Sequence, residues 1–572
     1  MPGVTPGRSN HPDAAHTFAD IGAQLKALAP RLSDWWPLHV RQDLVAGLMV
    51  ALVALPLALG FGVSSGLGAG AGIATAIVAG AVAAIFGGSR VQVSGPTGAM
   101  TVVLVPVVAA HGAGSVAVVG LMAGLILIVL AMAGAGRAIH YVPLPVIEGF
   151  TLGIAAIIAA QQVPFALGAT PGTGEKVLPA AWGAVTAWIA EPDWATAGLT
   201  AATVLLILLL GRIRPGWPVP LLAVLLATLA TKLLPLNVAP IGDIPRGLPL
   251  PQLPTVPWGE FEALIMPALA IAALAALESL LSASVADALT IDGRHEPDRE
   301  LFGQGLANLA TPLVGGIPAT AAIARTAVNV RAGAVTRLAA LSHSVMLLIV
   351  LLIAAPWVGE IPLAALAGVL IATAVHMVSI SALAPVFRVT RGDGLVLAAT
   401  AAATLLTNLV TAVIVGLALA GFVALRQTAR SARLDSENVS AEESTEEDRL
   451  LDQHIVAYRL EGPLFFAAAH DFLLELTRLG DVRVVILRMS HVTTLDATGA
   501  HVLADTIRRL ESRQVTVLLS GLQPRHTRIL GTLGVLSTLA HERHVFATTP
   551  DAIAHARAHV ARVPHHPTGN VS

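Results

Sequence analysis

One apolar run after another, from Leu44 to Ala420, decides what this chain can become. A helix needs roughly 20 apolar residues to cross a hydrocarbon core about 30 Å thick, so runs of this kind predict an all-α polytopic membrane protein. A soluble domain carries about 25% charged residues. Here the figure is 12%, against 55% apolar, in 572 residues.

Spans are expected near 44–63, 69–87, 95–110, 114–134, 144–163, 196–211 and 218–235, and again near 262–290, 301–314, 318–332, 334–356, 362–380, 392–408 and 409–427. That makes 14 spans, seven in each half, and an odd number per half means that a repeat would be inverted. The third span of the first half follows Gly87-Gly88 and begins at Ser94-Gly95-Pro96-Thr97-Gly98. Its counterpart follows Gly315-Gly316 and begins at Ile317-Pro318-Ala319-Thr320. Paired short segments broken by Gly and Pro are the sequence mark of a transporter's binding site, although Gly and Pro also serve helix packing alone.

Arg325 tips the balance. It lies inside GGIPATAAIARTAVNVRAG (Gly315–Gly333), and a charge at bilayer depth marks a pathway or a site. A helix starting at Pro318 in mid-membrane would also present free N–H groups to an anion. Glu278 is the second candidate, the only charge in LAIAALAALESLLSASVADAL before Asp287. Apolar surroundings disfavour its ionised form, which suits a proton carrier. Ser282, one turn on and on the same face, makes a cation site with Glu278 the alternative. A helix-packing carboxylate is the bland reading, set aside because an intramembrane acid is functional by default. Glu148 reads as an interfacial partner of Arg137, and Asp287, Asp292 and Asp298 need no special role.

Lys and Arg set orientation. Arg41, Arg90, Arg137, Arg212, Arg214, Arg294, Arg299, Arg331, Arg337, Arg388, Arg391, Arg426 and Arg430 share one side if both termini are cytoplasmic. Residues 1–40 are polar and proline-bearing, a cytoplasmic lead-in with no signal-peptide pattern. Residues 41–427 form the transport domain, and 428–452 an acidic linker around DSENVSAEESTEEDR.

A small cytoplasmic α/β domain is expected at 453–562, with strands at Ile455–Leu460, Arg483–Leu487 and Val515–Leu519 and helices at 467–479, 499–510 and 524–533. Thr498, in Leu495-Asp496-Ala497-Thr498-Gly499, can cap a helix or carry a phosphate. The tail, 563–572, is expected to be disordered, and its His565-His566 pair is not read as a metal site. Absence of cysteine excludes thiol chemistry and thiolate metal sites. No GxxxxGK loop is found, and spacing along the chain reveals no catalytic triad or metal-ligand cluster, so neither an ATP-driven pump nor an enzyme is expected, and no cofactor beyond a coupling proton or sodium. A net charge of −2 gives no reason to expect nucleic acid.

Four segments, GGSRVQVSGPTGAM, LAALESLLSASVADALT, FGQGLANLATPLVGGIPATAAIARTAVNVRAGA and RLEGPLFFAAAHDFLLEL, together resemble the SulP family of sulfate permeases and their relatives. The likeness runs from about Asp43 to Val560, and the soluble end resembles a STAS domain. In ESLL, ATAAIAR and GPLFFAAA the chain is most similar to bacterial members that carry C4-dicarboxylates aerobically. Sodium-dependent bicarbonate members have an aspartate where Glu278 stands.

This resemblance implies core and gate domains, an elevator mechanism, a homodimer in a bacterial inner membrane, and a cytoplasmic protein partner for the STAS domain. It implies an anion held between the third and tenth spans by Phe61, Thr97, Gly98, Ala322, Ala324, Arg325 and Thr326, and regulation at Thr498. Leu57 stands where animal relatives have glutamine, Ala322 and Ala324 replace serines, and Asn408 stands where many relatives have aspartate. The expectation is proton-coupled import of a C4-dicarboxylate such as fumarate or succinate. Bicarbonate or sulfate, driven by sodium or protons, is the alternative. An uncoupled channel and a membrane-tethered regulatory module are the competing classes; Glu278 argues against a passive pore.

Overall fold

A computed structural model describes residues 28–31, 35, 39–137, 142–169, 177–214, 216–234, 236–254, 259, 261–290, 294–378, 391–407, 409–431, 433–435, 454–464, 482–495, 497–541 and 544–562. The chain divides into two compact units, Met1–Ala418 and Leu419–Ser572.

In the first unit, α1 (Val40–Ser64) and α2 (Ala69–Phe86) precede a two-residue strand, β1 (Ser94–Gly95), which leads into the short α3 (Gly98–His111). Then come α4 (Gly114–Met132), α5 (Leu144–Leu167), α6 (Val177–Ala190), α7 (Trp194–Ile213) and α8 (Val219–Leu233). The second half begins in the same order. Helices α9 (Phe261–Leu289) and α10 (Pro297–Ala310) precede a strand, β2 (Thr320–Ala321), which leads into the short α11 (Ile323–Arg331). After it come α12 (Arg337–Gly359), α13 (Leu363–Met377), α14 (Arg391–Leu406) and α15 (Leu409–Ser431), the last crossing into the second unit.

Every expected span overlaps one of these helices. Among the described residues, seven helices (α1, α2, α4, α5, α7, α9 and α12) are long and apolar enough to cross a membrane, and six further apolar helices are shorter. Helix α6 was not expected: VLPAAWGAVTAWIA is too short to read as a span, and its Trp182 and Ile189 are exposed. Leu205, Leu209, Leu225, Leu229 and Trp357 are exposed too, an apolar outer surface suited to lipid.

The helices pack in two groups. In one, α12 lies on α1 and α2, and α10 on α2 and α4. In the other, α5 carries α13 and α14, and α7 packs on α13. Each group draws on both halves of the chain.

Irregular backbone at membrane depth is tolerated only where protein buries it and supplies partners for its N–H and C=O groups. The Gly315–Pro318 break meets that demand through single side chains. Thr75 Oγ1 accepts from Ile317 N (2.7 Å), and Asn308 both accepts from Ala319 N (2.9 Å) and donates to Ala319 O (2.8 Å). The first break is held by Glu300, whose Oε2 accepts from Gly88 N (2.8 Å) and Ser89 N (3.2 Å). Asp43, fully buried on α1, accepts from Val335 N, Thr336 N and Thr336 Oγ1 (2.8, 3.1 and 2.6 Å), which fixes the turn into α12.

In the second unit a five-stranded sheet has the order β3 (Arg433–Asp435), β4 (Ile455–Leu464), β5 (Val484–Leu495), β6 (Thr516–Ser520), β7 (Val545–Phe546). The strands pair in parallel except β3, which runs antiparallel to β4. Strand β3 lies inside the stretch expected as linker. Alternate residues of β5 face opposite ways: Val485 and Leu487 pack in one core with residues of α16 (Ala497–Ser512) and α17 (Pro524–Thr532), and Val484 and Ile486 in another with Ala552 and Ala556 of α18 (Thr549–Arg562). Burial, then the neighbouring imidazoles of His555, His559 and His541, pushes His544 down to about 4. The expected helix at 467–479, the tail at 563–572, Asp292, Asn408 and the side chain of Thr498 lie outside the described residues.

Candidate functional site

The two short strands pair with each other, antiparallel, with Ser94 opposite Ala321 and Gly95 opposite Thr320. Ala322 N extends the pairing by donating to Val93 O (3.1 Å). Because the strands are antiparallel, α3 and α11 leave the pair from opposite ends, and both helix N-termini face back toward it. Their N-cap residues, Thr97 and Ala322, offer no side-chain cap. First-turn N–H groups on both sides are therefore turned toward one region, the arrangement that attracts an anion.

Arg325, at 2% exposure, reaches across from α11 and donates from Nη2 to Pro96 O (2.9 Å). Its Nη1 is buried without a hydrogen-bond partner. A buried guanidinium nitrogen left unpaired costs free energy, and an anion would relieve that cost. Glu278 comes from α9 on the other side of the same dipeptide, where Thr97 Oγ1 donates to its Oε2 (3.1 Å). Glu278 is half-buried. The two opposite charges act on each other electrostatically but form no direct ion pair. Pro96-Thr97 stands between them and bonds to both.

The remaining expected residues gather here to different degrees. Phe61 is buried, and a Cβ on Gly98 would lie 3.2 Å from its Cε1 and 2.1 Å from Ile158 Cδ1. Glycine at 98 is what lets α3 begin against α1 and α5. Ala322 is half-buried and Ala324 exposed. Thr326 points the other way, accepting from Val93 N (3.2 Å) and Ser282 Oγ (3.0 Å). Ser282 is thus bonded to α11 and not to Glu278.

Three contributions were not foreseen. Ser279 shares a hydrogen bond with Thr320 Oγ1 (2.9 Å) and accepts from Ala321 N (3.3 Å), tying α9 to β2. Thr101 bonds to Gln161 Oε1 (3.3 Å) beside the start of α3. His343, fully buried on α12, feels the charge of Arg325. Of these only Ser279 left a trace in sequence, as the polar neighbour of Glu278.

A Cβ on Gly95 would lie 2.5 Å from Arg325 Nη1. Gly95→Ala is expected to displace the guanidinium at an overpacking cost of about 1–3 kcal/mol. The half-saturating anion concentration in proteoliposome uptake should rise while the detergent-solubilised protein stays folded; an unchanged value would place the anion away from Nη1.

The Sulfate permease family model matches residues 40–400, and the STAS domain model matches residues 450–552. The chain belongs to the sulfate permease family. Among its relatives is YvdB of Bacillus subtilis (strain 168), named as a candidate sulfate transporter, 35% identical over 88% of this chain and 96% of its own. The bicarbonate transporter BicA of Picosynechococcus is 31% identical over 84% of this chain and 89% of its own. In structure, the transmembrane domain of a cyanobacterial BicA superposes with a TM-score of 0.60 at 32% identity, covering 66% of this chain and 98% of that one. Murine Solute Carrier 26 family member A9, an anion transporter in the inward-facing state, shares the fold at a TM-score of 0.78 and 18% identity, over 98% and 100% of the two chains.

These relatives are named for sulfate, bicarbonate and anions, not for C4-dicarboxylates. They move the substrate expectation to its alternative.

Proposed function

We propose that this sulfate permease family member is a secondary active transporter of a small inorganic oxyanion, bicarbonate or sulfate. The oxyanion lies against Arg325 between the N-termini of α3 and α11, and a proton or sodium ion couples through Glu278. The observation that carries the reading is the buried, unpartnered Nη1 of Arg325 beside two uncapped helix starts. The relatives' names support an inorganic oxyanion. So does size: one guanidinium meets one compact anionic group, whereas a dicarboxylate would extend a second carboxylate into the neighbourhood of Glu278.

The same reading keeps fourteen spans in an inverted seven-plus-seven repeat, which the matching order of α1–α2–β1–α3 and α9–α10–β2–α11 supports. Arginine distribution supports two cytoplasmic termini in a bacterial inner membrane. Packing in two helix groups supports a core that moves against a gate. The homodimer, the protein partner of the STAS domain and a regulatory Thr498 rest on the family resemblance alone.

Purified protein in liposomes, supplied with labelled bicarbonate, sulfate or fumarate under imposed pH or sodium gradients, tests the reading. Accumulation of one inorganic oxyanion against its own gradient is the expected result. Accumulation of fumarate alone would return the substrate to the dicarboxylates, and rapid dissipative current without ion coupling would make the protein a channel.

A further inference from the structure

Four histidines crowd together in the second unit, well away in sequence from the transport residues. His544 precedes β7 and is 6% exposed, with Nδ1 buried and lacking a hydrogen-bond partner. His555 and His559 sit four residues apart on α18, so they share a helix face. Their ring centres lie 5.6 and 6.3 Å from that of His544 and 6.5 Å from each other. His541 stands 5.9 Å from His544 on the same loop.

We infer that His544, His555 and His559 form a binding site for a divalent transition-metal ion of the zinc class, with His541 or water completing the shell. Imidazole nitrogen is a favoured ligand for such ions, while magnesium and calcium prefer oxygen. Zinc binds imidazole nitrogen at about 2.0–2.1 Å, which places rings around a tetrahedral ion with centres roughly 5 Å apart. In the present rotamers no group of three His, Cys, Asp or Glu side chains among the described residues is set for an ion. The ring spacings of 5.6, 6.3 and 6.5 Å exceed that separation, so an ion would have to draw the rings inward. His559 Nε2 shares a hydrogen bond with Thr516 Oγ1 (3.1 Å), so this ring would bind through Nδ1 or release Thr516. Phe546, 5.1 Å from His555, closes one side with an apolar ring. Arg562 adds positive charge near His555 and works against the ion. A bound ion would tie the loop before β7 to α18.

The test is zinc binding by the purified, tag-free full-length chain, measured by equilibrium dialysis with elemental analysis. One zinc per chain is expected, with no binding of magnesium. Even partners one shell out cost about 10- to 100-fold in affinity when removed, so the double variant His555→Ala, His559→Ala should lose at least about 100-fold by the same measure. Those two positions are only half-buried, and circular dichroism of the variant checks that the fold persists. A second variant, His565→Ala with His566→Ala, separates this site from the histidine pair in the tail and should bind as the parent does. The inference is overturned if the parent chain binds no zinc, if the α18 variant binds it undiminished, or if binding disappears with the tail pair.

Discussion

Proteoliposomes carrying Arg325→Gln should take up the oxyanion at least about 30-fold less effectively than the parent at subsaturating concentration. Truncating one member of a buried charge contact costs about 2–5 kcal/mol, and each 1.4 kcal/mol is a factor of about ten. The fold should survive, because β1 and β2 are held by their own backbone pairing and by Thr75, Asn308 and Ser279, not by Arg325. Loss of uptake has two physical origins, and a second substitution separates them. If the guanidinium touches the anion through Nη1, the double variant Arg325→Gln, Glu278→Gln stays inactive. If Arg325 serves only to balance the carboxylate of Glu278, removing both charges restores uptake, and the direct-contact assignment fails.

Glu278→Gln should leave anion movement in place and remove its drive. The amide keeps an oxygen for the hydroxyl of Thr97 but can neither take up a proton nor hold a cation as a carboxylate does. Downhill uptake should persist, and the accumulation ratio should fall to near one whatever pH or sodium gradient is imposed. Undiminished gradient-driven accumulation by this variant would remove Glu278 from the coupling step. Running the proton and sodium gradients separately on the parent protein identifies the ion that the carboxylate serves.

Much of the candidate site was legible because the chain breaks its own pattern there. Gly-Gly pairs and prolines interrupt otherwise uniform apolar runs at Gly87–Thr97 and Gly315–Pro318, and each break precedes a short helix. Charges in such runs are conspicuous, so Arg325 and Glu278 stood out. What escaped notice is chemically quiet. Thr75, Asn308 and Ser279 are single polar residues of a kind scattered through membrane helices, and only the partner hundreds or tens of residues away makes them structural pins.

Ser282 shows the limit of helical periodicity. It does lie one turn from Glu278, but its hydroxyl is taken by Thr326, a contact that spacing along one helix cannot reveal. Helix α6 was hidden by its length, and β3 by the charged, polar stretch in which it lies; in both cases tertiary context outweighed local pattern.

The pairing of β1 with β2 has a mechanical consequence. Hydrogen bonds between Ser94–Gly95 and Thr320–Ala321 act as a rivet through the two halves of the chain, and the polar pins from α2, α9 and α10 fasten it to its surroundings. Parting the half-helices to let an anion through would strand backbone groups in a medium without water, each at a cost of several kcal/mol. The cradle therefore has no seam along which to open, and in the transport cycle proposed above the anion would be exposed to the two sides of the membrane by displacing the cradle whole or by moving the walls around it.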